Sequence, residues 1–315
     1  MQNAMKPYHH INASARRTSS APPYTGIEST TNYTREKPVY SIARGFKASS
    51  PIDFHQNNYI AQIEEIIKDK NDSLTYAKTL QDAIIPCKDN LKNVFPESFV
   101  YHLPKEIVSG DFCWFEEVGD TVFLAAADCT GHGVPGAMLT MVCCALLSKA
   151  VVEYGIKEPG KILDKVRDMV LRAFNGSEVD MNDGMDISLC AINKKTLLIE
   201  WSGANNPLLY FRNGEMFEIN GDKQPVGRYE RYLPFTTHTR QLHEGDTLYM
   251  FSDGYMDQFG GTKGKKFMYK NLKQVFTELK PVNMQAQKEI LDNTFQEWKR
   301  DLEQVDDVLV IGVKL

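Results

Sequence analysis

Four acidic positions in this sequence have the residue type and the setting that metal chemistry requires. Asp111 lies in SGDF, Asp128 in ADCTGHG and Asp253 in FSDG, and the pair Asp306-Asp307 precedes the apolar stretch at residues 308–313. The first three lie beside a glycine or within a glycine-rich turn, where the backbone can approach a ligand closely. Taken singly, an aspartate next to a glycine usually marks only a turn.

The apolar runs that lead into two of these positions favour a functional interpretation. Residues 122–127 and 248–251 predict buried strands that deliver Asp128 and Asp253 to the edge of a sheet. Carboxylates gathered at one edge repel one another and raise one another's pKa unless cations neutralise them. Because Mg²⁺ and Mn²⁺ prefer oxygen ligands, the pattern predicts a site for divalent cations.

The charge and hydropathy of the chain exclude two classes of partner. The formal net charge is −5, and residues 1–50 carry seven Lys or Arg against two Glu, so the remainder is more acidic still. A nucleic-acid groove needs a basic face, and none is expected here. The longest apolar run, residues 137–147, is shorter than the ~20 residues that span a bilayer, so no membrane segment is expected.

The cysteines indicate a reducing compartment. They form no CxxC pair, and two of them are adjacent, which suits neither a zinc knuckle nor a disulfide framework. Most lie in apolar stretches, where a free cysteine behaves as a small hydrophobe. We therefore expect a cytoplasmic protein with free thiols. The six are Cys87, Cys113, Cys129, Cys143, Cys144 and Cys190.

The N-terminal part of the chain divides into a tail and a helix. Residues 1–53 have no regular apolar period and predict a disordered tail, with an organellar transit peptide as the alternative. Residues 54–86 predict an amphipathic linker helix whose apolar stripe steps by three and four residues and is interrupted by Lys70. The stripe either packs on the following domain or pairs with a second copy, at residues 57–84, in a coiled coil. Its members are Ile60, Ile63, Ile67, Leu74, Ala77 and Ile84.

From residue 88 onward, strand-like segments are interrupted by paired helices. Most links between strands are too short for helical crossovers, which disfavours a doubly wound parallel sheet. We expect an α+β fold over residues 88–315, a central antiparallel β-sandwich flanked by helices on both sides. Strands are expected at 98–103, 107–118, 121–127, 185–192, 197–202, 208–211, 215–219, 235–242, 247–251 and 308–313, and helices at 135–153, 159–174, 272–279 and 283–302.

Four strings in this order, SGDF, ADCTGHGVPGAM, FSDG and DDV, resemble the PPM superfamily of metal-dependent protein phosphatases, in its bacterial SpoIIE-like branch. The resemblance covers about residues 95–315. It implies a centre with two divalent cations, Mn²⁺ or Mg²⁺. Asp128 and Asp253 match bridging or directly ligating aspartates and are the implied catalytic residues. The carbonyl of Cys129, the carboxylate of Asp306 or its neighbour Asp307, and Asp111 at the second metal complete the implied metal ligands.

Two departures from wider family patterns limit the resemblance. Trp114 stands where many relatives have a second acidic residue, and His132 lies four residues after Asp128 rather than two. His132 therefore does not simply inherit a general-acid role, and it is expected to cap or pack the glycine turn, with a catalytic part as the alternative. Lys105 lies six residues before Asp111, from where it can reach a substrate phosphate or remain an ordinary surface lysine.

The implied function is hydrolysis of phosphoserine or phosphothreonine in a protein by a metal-activated water, in bacterial signal transduction. Substrates in this branch include anti-sigma-factor antagonists, and the linker helix often connects a sensor to the phosphatase, so we expect it to regulate the domain. One alternative is a catalytically silent module that dimerises through the helix. Another is a small-molecule phosphohydrolase, against which the absence of a GxxxxGK loop argues.

Overall fold

A computed structural model of the chain describes residues 51–174, 183–280 and 282–315, with side chains from residue 59 onward. Residues Asn58–Leu315 form one compact unit, and the other unit, Met1–Asn57, lies almost wholly outside the described residues, as does the predicted tail. The helices are α1 Pro51–Ile84, α2 Cys87–Val94, α3 Gly133–Ser148, α4 Pro159–Phe174, α5 Gly254–Asp257, α6 Tyr269–Leu279 and α7 Met284–Lys299. A π-helical turn, Lys149–Glu153, continues α3.

The strands form two antiparallel sheets and a short hairpin. Sheet A has the order β1-β13-β10-β6-β7, sheet B the order β2-β3-β4-β5-β9 with β8 paired to β4, and β11 pairs β12. The strands are β1 Ser98–Leu103, β2 Asp111–Val118, β3 Thr121–Cys129, β4 Gly184–Asn193, β5 Leu198–Ala204, β6 Leu208–Arg212, β7 Glu215–Ile219, β8 Val226–Gly227, β9 His238–Gln241, β10 Thr247–Phe251, β11 Phe259–Gly260, β12 Lys265–Lys266 and β13 Val308–Lys314.

Tight turns fix the pairing of neighbouring strands. Gly119, with a φ of 63°, allows β2 to turn directly into β3. Asn213 and Gly214 have φ angles of 50° and 83° between β6 and β7. Two successive residues of positive φ match the twist of a two-residue hairpin, and asparagine and glycine adopt them at least cost. These turns set the register in which the functional side chains face one another.

The two sheets pack face to face around an apolar layer. Side chains of β10 and β13, such as Leu248 and Ile311, meet side chains of β3 and β4, such as Leu124 and Ile192. The outer face of sheet B is covered by α3 and α4, where Leu147 and Val166 lie against β3 and β4. The outer face of sheet A is covered by α5, α6 and α7. Both faces of β3 are therefore buried, which explains its unbroken apolar sequence.

The expected α+β sandwich with helices on both sides is confirmed, as is the long N-terminal helix. Sequence reasoning missed α2, whose buried side chains Cys87 and Leu91 pack on the edge of the inter-sheet core. The strand expected from residue 107 begins only at Asp111, because residues 104–110 form a loop whose backbone N–H groups at Lys105 and Gly110 donate to the Asp307 carboxylate instead of to a neighbouring strand.

The expectation of free thiols only is wrong. Cys87 at the start of α2 and Cys113 in β2 are joined in a disulfide. The spacing gave no sign of it, because the two residues are 26 positions apart and the whole of β1 lies between them. The other four cysteines are free and buried, as expected for small apolar side chains.

One helical stretch, Gly133–Glu153, is long and apolar enough to cross a membrane by length and composition alone. The π-helical turn extends this stretch beyond the apolar run visible in the sequence. Leu139, Cys143 and Leu147 on its buried face are part of the core on sheet B. Packing within the domain accounts for part of this hydrophobicity, since 44% of the apolar window is buried.

We predict that Ile311→Ala will destabilise the domain strongly. Ile311 is fully buried between the sheets, and truncating a buried isoleucine typically costs about 2–5 kcal/mol of unfolding free energy. Ile290→Ala on α7 is the matched control, since Ile290 is 38% exposed and should lose less than about 1.5 kcal/mol. Urea unfolding measures both, and equal losses would contradict the assigned core.

Candidate metal centre

Strand register in sheet B brings three aspartates into one row. Asp111 opens β2 and lies opposite Asp128 near the end of β3. Asp128 in turn lies opposite Asp186 near the start of β4. Because side chains at paired positions of neighbouring strands point to the same face, the three carboxylates share one corner of the sandwich.

Sheet A contributes its aspartates to the same corner. Asp253 follows the end of β10 and Asp306 precedes β13, and these strands pair antiparallel so that Phe251 lies opposite Val310. One hydrogen bond joins the two sheets there, since the Ser252 hydroxyl donates to Asp111 Oδ2 at 2.5 Å. Ser252 also receives the Leu309 N–H at 3.0 Å. Ser252, which follows β10, therefore links β13 of sheet A to the start of β2 in sheet B.

The two adjacent aspartates before β13 have different environments. Asp307 is buried, and its two carboxylate oxygens accept the backbone N–H groups of Lys105 and Gly110, each at 2.7 Å. Asp306 is half-buried and uses one oxygen, Oδ1, to accept the Asp307 N–H at 2.9 Å. Within the described residues, Asp306 Oδ2 therefore accepts no hydrogen bond, whereas Asp307 fastens the loop before β2.

The electrostatics of the corner are unfavourable without cations. Burial and the charges of Asp307 and Asp306 raise the pKa of Asp111, and burial and the charges of Asp111 and Asp253 raise the pKa of Asp128. Burial raises the pKa of Asp253 to about 6, helped by Asp257 and Asp306.

This donor set fits hard divalent cations. Carboxylate oxygens without nitrogen or sulfur donors suit Mg²⁺ and Mn²⁺, and a cation would remove the repulsion that raises these pKa values. Glycines allow the backbone to close around the site, since a Cβ on Gly254 would lie 1.9 Å from the Asp307 carbonyl oxygen. A Cβ on Gly110 would lie 3.2 Å from the carbonyl oxygen of Cys129. Among the described residues no three His, Cys, Asp or Glu side chains already converge as a ligand group.

A short chain of charged groups borders the acidic corner. The Lys105 Nζ lies 2.9 Å from His132 Nε2, and His132 Nδ1 lies 2.6 Å from Glu106 Oε1. Because an ammonium group can only donate, His132 accepts at Nε2 and donates from Nδ1 to the carboxylate. Burial raises the pKa of Asp306, and the charge of Lys105 partly offsets this rise, so the ammonium group is close to the aspartates.

The same region is where the chain matches a known family. The family model of Stage II sporulation protein E (SpoIIE) matches residues 119–315, a stretch that includes Asp128, Asp253 and Asp306. The chain belongs to the SpoIIE family. No curated protein sequence matches it. Asp111 and the disulfide-linked α2 lie before the matched residues of this SpoIIE-family chain.

Solved structures agree with the family assignment. The SiaA-PP2C domain of Pseudomonas aeruginosa matches with a TM-score of 0.73 and 27% identity, over 79% of this chain and 98% of that chain. The PP2C phosphatase domain of SpoIIE from Bacillus subtilis, with a fragment of its regulatory domain, matches with a TM-score of 0.56 and 20% identity, over 69% and 61%. The RsbU and RsbW domains of Rv1364c from Mycobacterium tuberculosis match with a TM-score of 0.54 and 16% identity, over 70% and 60%. The SpoIIE-family chain therefore has the fold of PP2C-type phosphatase domains.

Sequence reasoning placed the aspartates of this SpoIIE-family site in one region but missed the groups that hold them. Ser252 is part of the string FSDG, but nothing in the sequence indicated its hydrogen bond to Asp111. Nothing in the sequence indicated the contact between Glu106 and His132 either. Trp114, which replaces an acidic residue of some relatives, is a core side chain whose indole N–H donates to Ser148. Asp186 is held by the side-chain amide of Asn205 at 2.8 Å, which a sequence pattern does not predict.

We predict that Asp253→Asn will stabilise the metal-free SpoIIE-family domain at neutral pH. The pKa of Asp253 rises from 3.8 to about 6 on folding, so the folded chain binds this proton more tightly and the free energy of unfolding falls as pH increases through that window. Asparagine removes this loss, and the gain should be about 1–3 kcal/mol at pH 7 and vanish below about pH 4.

Thermal or urea unfolding in EDTA, at pH 4 and pH 7, checks this prediction. The matched control is Asp301→Asn, at an exposed position, which should change the stability little at either pH. A variant at Asp253 that is less stable than the wild type at pH 7 would show that its carboxylate is not destabilised by its neighbours.

Proposed function

We propose that this chain is a metal-dependent protein-serine/threonine phosphatase that uses two divalent cations, Mn²⁺ or Mg²⁺. The observation that carries the proposal is the cluster of mutually repelling carboxylates at the meeting of the two sheets. Asp128 and Asp253 are the proposed central ligands, and Asp111 and the Cys129 carbonyl contribute to the same centre. Of the last pair, we assign Asp306 as a ligand, because both oxygens of Asp307 already accept backbone N–H groups.

Two bound cations supply a water of lowered pKa and Lewis acidity toward a phosphoryl oxygen. The residues of the chain hold the cations and bind the substrate. The aspartates hold the cations in a buried corner, where charge stabilisation is stronger than in bulk water. Lys105, oriented by His132 and Glu106, presents an ammonium group at the border of the corner, where it can bind a substrate phosphate. Burial raises the pKa of the Cys129 thiol, which argues against cysteine-based catalysis.

We propose a phosphoprotein rather than a small phosphorylated metabolite as the substrate. The resemblance to the SpoIIE-like branch suggests an anti-sigma-factor antagonist or a protein of that kind, in a cytoplasmic signalling pathway. Neither a nucleic-acid nor a membrane partner is part of this proposal. The silent-module alternative makes a distinct prediction, since such a module would bind its partner without releasing phosphate.

The first test of the function is metal-dependent phosphate release. The full-length protein should release phosphate from serine or threonine phosphopeptides in Mn²⁺ or Mg²⁺ and stop in EDTA, because the proposed ligands are all oxygen atoms. Asp128→Asn should lower the rate by at least about a hundredfold. The apparent metal affinity should weaken as pH falls, since protons compete for the carboxylates.

Asp301→Asn is again the matched control and should keep the wild-type rate. Turnover that survives exhaustive chelation would contradict the two-cation centre. Mn²⁺ binding without turnover on any phosphopeptide would favour the silent module, and turnover confined to small phosphate esters would favour the metabolite phosphatase.

The apolar stripe of α1 supports dimerisation as a second part of the proposal. Ile60, Ile63 and Ile67 are 52%, 38% and 52% exposed, so the domain of the same chain does not bury them. Their spacing of three and four residues is that of a coiled-coil seam. We therefore propose a second copy of this chain as the occupant, with α1 pairing to α1.

We predict that Ile63→Asp with Ile67→Asp will give a monomer, because the paired charges would be buried in the seam. Analytical ultracentrifugation of the full-length protein measures the mass. Glu65→Lys with Asp69→Lys, on the opposite face of α1, is the control and should leave a dimer. A wild-type monomer at all accessible concentrations would contradict the proposed pairing.

A further inference from the structure

A short segment, residues 222–227, borders the acidic corner on the side of sheet B. At its start, Asp222 pairs with Ala204 at the end of β5, through backbone hydrogen bonds of 2.8 and 2.9 Å. At its end, the segment becomes β8 and pairs with the first two residues of β4. Asp186 is the next residue of β4, so the segment runs past this aspartate.

Within this segment, both neighbours of Lys223 are fixed by their side chains. The Asp222 carboxylate accepts the backbone N–H of Thr236 at 2.7 Å and the hydroxyl of the same residue at 3.1 Å. Gln224 is buried, and its amide pairs with the backbone of Leu233, donating to the carbonyl oxygen at 2.8 Å and accepting the N–H at 3.1 Å. Lys223 therefore extends from a backbone that is held on both sides.

The side chain of Lys223 is exposed and available to a ligand. In the described part of the chain, no hydrogen bond or ion pair holds its ammonium group. Burial raises the pKa of Asp186, and a hydrogen bond from Asn205 and the charge of Lys223 each offset part of this rise. The ammonium group is therefore close to the end of the aspartate row that Asp186 forms.

Two lysines thus border the acidic corner at different places. Lys105 lies near Asp306, next to the loop that leads into β2. Lys223 lies near Asp186 on β4, which is separated from β2 by β3. Two strand spacings amount to roughly 10 Å, a distance that an extended peptide covers in about three residues. A substrate whose phosphate lies at the cations and Lys105 therefore brings a side chain about two or three positions away to Lys223.

The surface next to Lys223 suits a polypeptide. The chain that follows β8 exposes Tyr229, Tyr232 and Leu233, each by about half of its surface. Because the backbone of Leu233 is bonded to Gln224, this apolar surface lies beside the lysine. Aromatic side chains are enriched where proteins contact one another, and an ammonium group without a partner attracts a carboxylate.

We propose that Lys223 is a specificity-determining residue that binds an acidic side chain two or three positions from the phosphorylated residue of a phosphoprotein substrate. The inference rests on the proposed function and deepens it, since it names the sequence around the phosphate that the site prefers. A lysine that only offset the charge of Asp186 would change the turnover of every phosphopeptide by the same factor. A lysine that binds the substrate changes the ratio between acidic and neutral peptides.

The test uses the full-length protein in Mn²⁺ and phosphoserine peptides with glutamate, alanine or lysine two and three positions to either side of the phosphate. The wild type should have a kcat/KM for the best glutamate peptide about threefold or more above that for the alanine peptide, and high salt should reduce this advantage. Lys223→Ala should abolish the advantage, and Lys223→Glu should reverse it in favour of the lysine peptide. Lys195→Glu, at an exposed position in the turn between β4 and β5, is the matched control and should keep the wild-type preference.

Reversal of the preference is the decisive result, because a purely structural role of Lys223 cannot produce it. A wild type without an acidic preference, or a preference that Lys223→Glu leaves unchanged, would overturn the proposal. A wild type that releases no phosphate from any peptide would instead contradict the proposed function. Fluorescence anisotropy with the same peptides, carrying a non-hydrolysable phosphonate, then tests Lys223 separately, and binding without the same reversal would overturn the proposal.

Discussion

The hydrogen bond from Ser252 to Asp111 joins the two sheets at the corner where the buried aspartates lie close together. Each sheet ends in carboxylates, and burial raises the pKa of those on both sides of this bond. A corner of this kind is stable only if rigid neighbours prevent the carboxylates from moving apart. The polar groups around it do so, because Asp307, Thr140 and Gln81 each fix the backbone that leads into β2. The geometry of the carboxylate cluster therefore depends on these few contacts.

The residues of the acidic corner differ in which parts of the structure hold them in place. The direct ligands proposed here belong to strands whose core is fully packed, so they have little freedom of their own. The segment at residues 109–111 is different, since a helix from outside the sandwich supplies part of its support.

Most of the fold could be predicted from the sequence, because β-strands and amphipathic helices leave a period in it. The helix at 159–174 and the strands at 98–103 and 247–251 have the expected bounds. Helix α2 was missed because its eight residues, with apolar side chains only at Cys87, Leu91 and Val94, are too few for a periodicity argument. The aspartates were found because each interrupts an apolar or glycine-rich run. Ser252, Glu106 and Gln81 were not, since their importance lies in contacts between residues far apart in sequence, which no local pattern records.

Strand β13 is synthesised after the other twelve described strands, and sheet A is incomplete without it. This last strand lies inside sheet A, between β1 and β10, and pairs with both along nearly its whole length. Until residues 308–314 have been made, β1 has no partner strand and nothing connects it to β10. The acidic corner cannot assemble in that state, because Asp306 and Asp307 directly precede the missing strand. A chain without these residues would leave the facing edges of β1 and β10 unpaired, and unpaired strand edges favour aggregation.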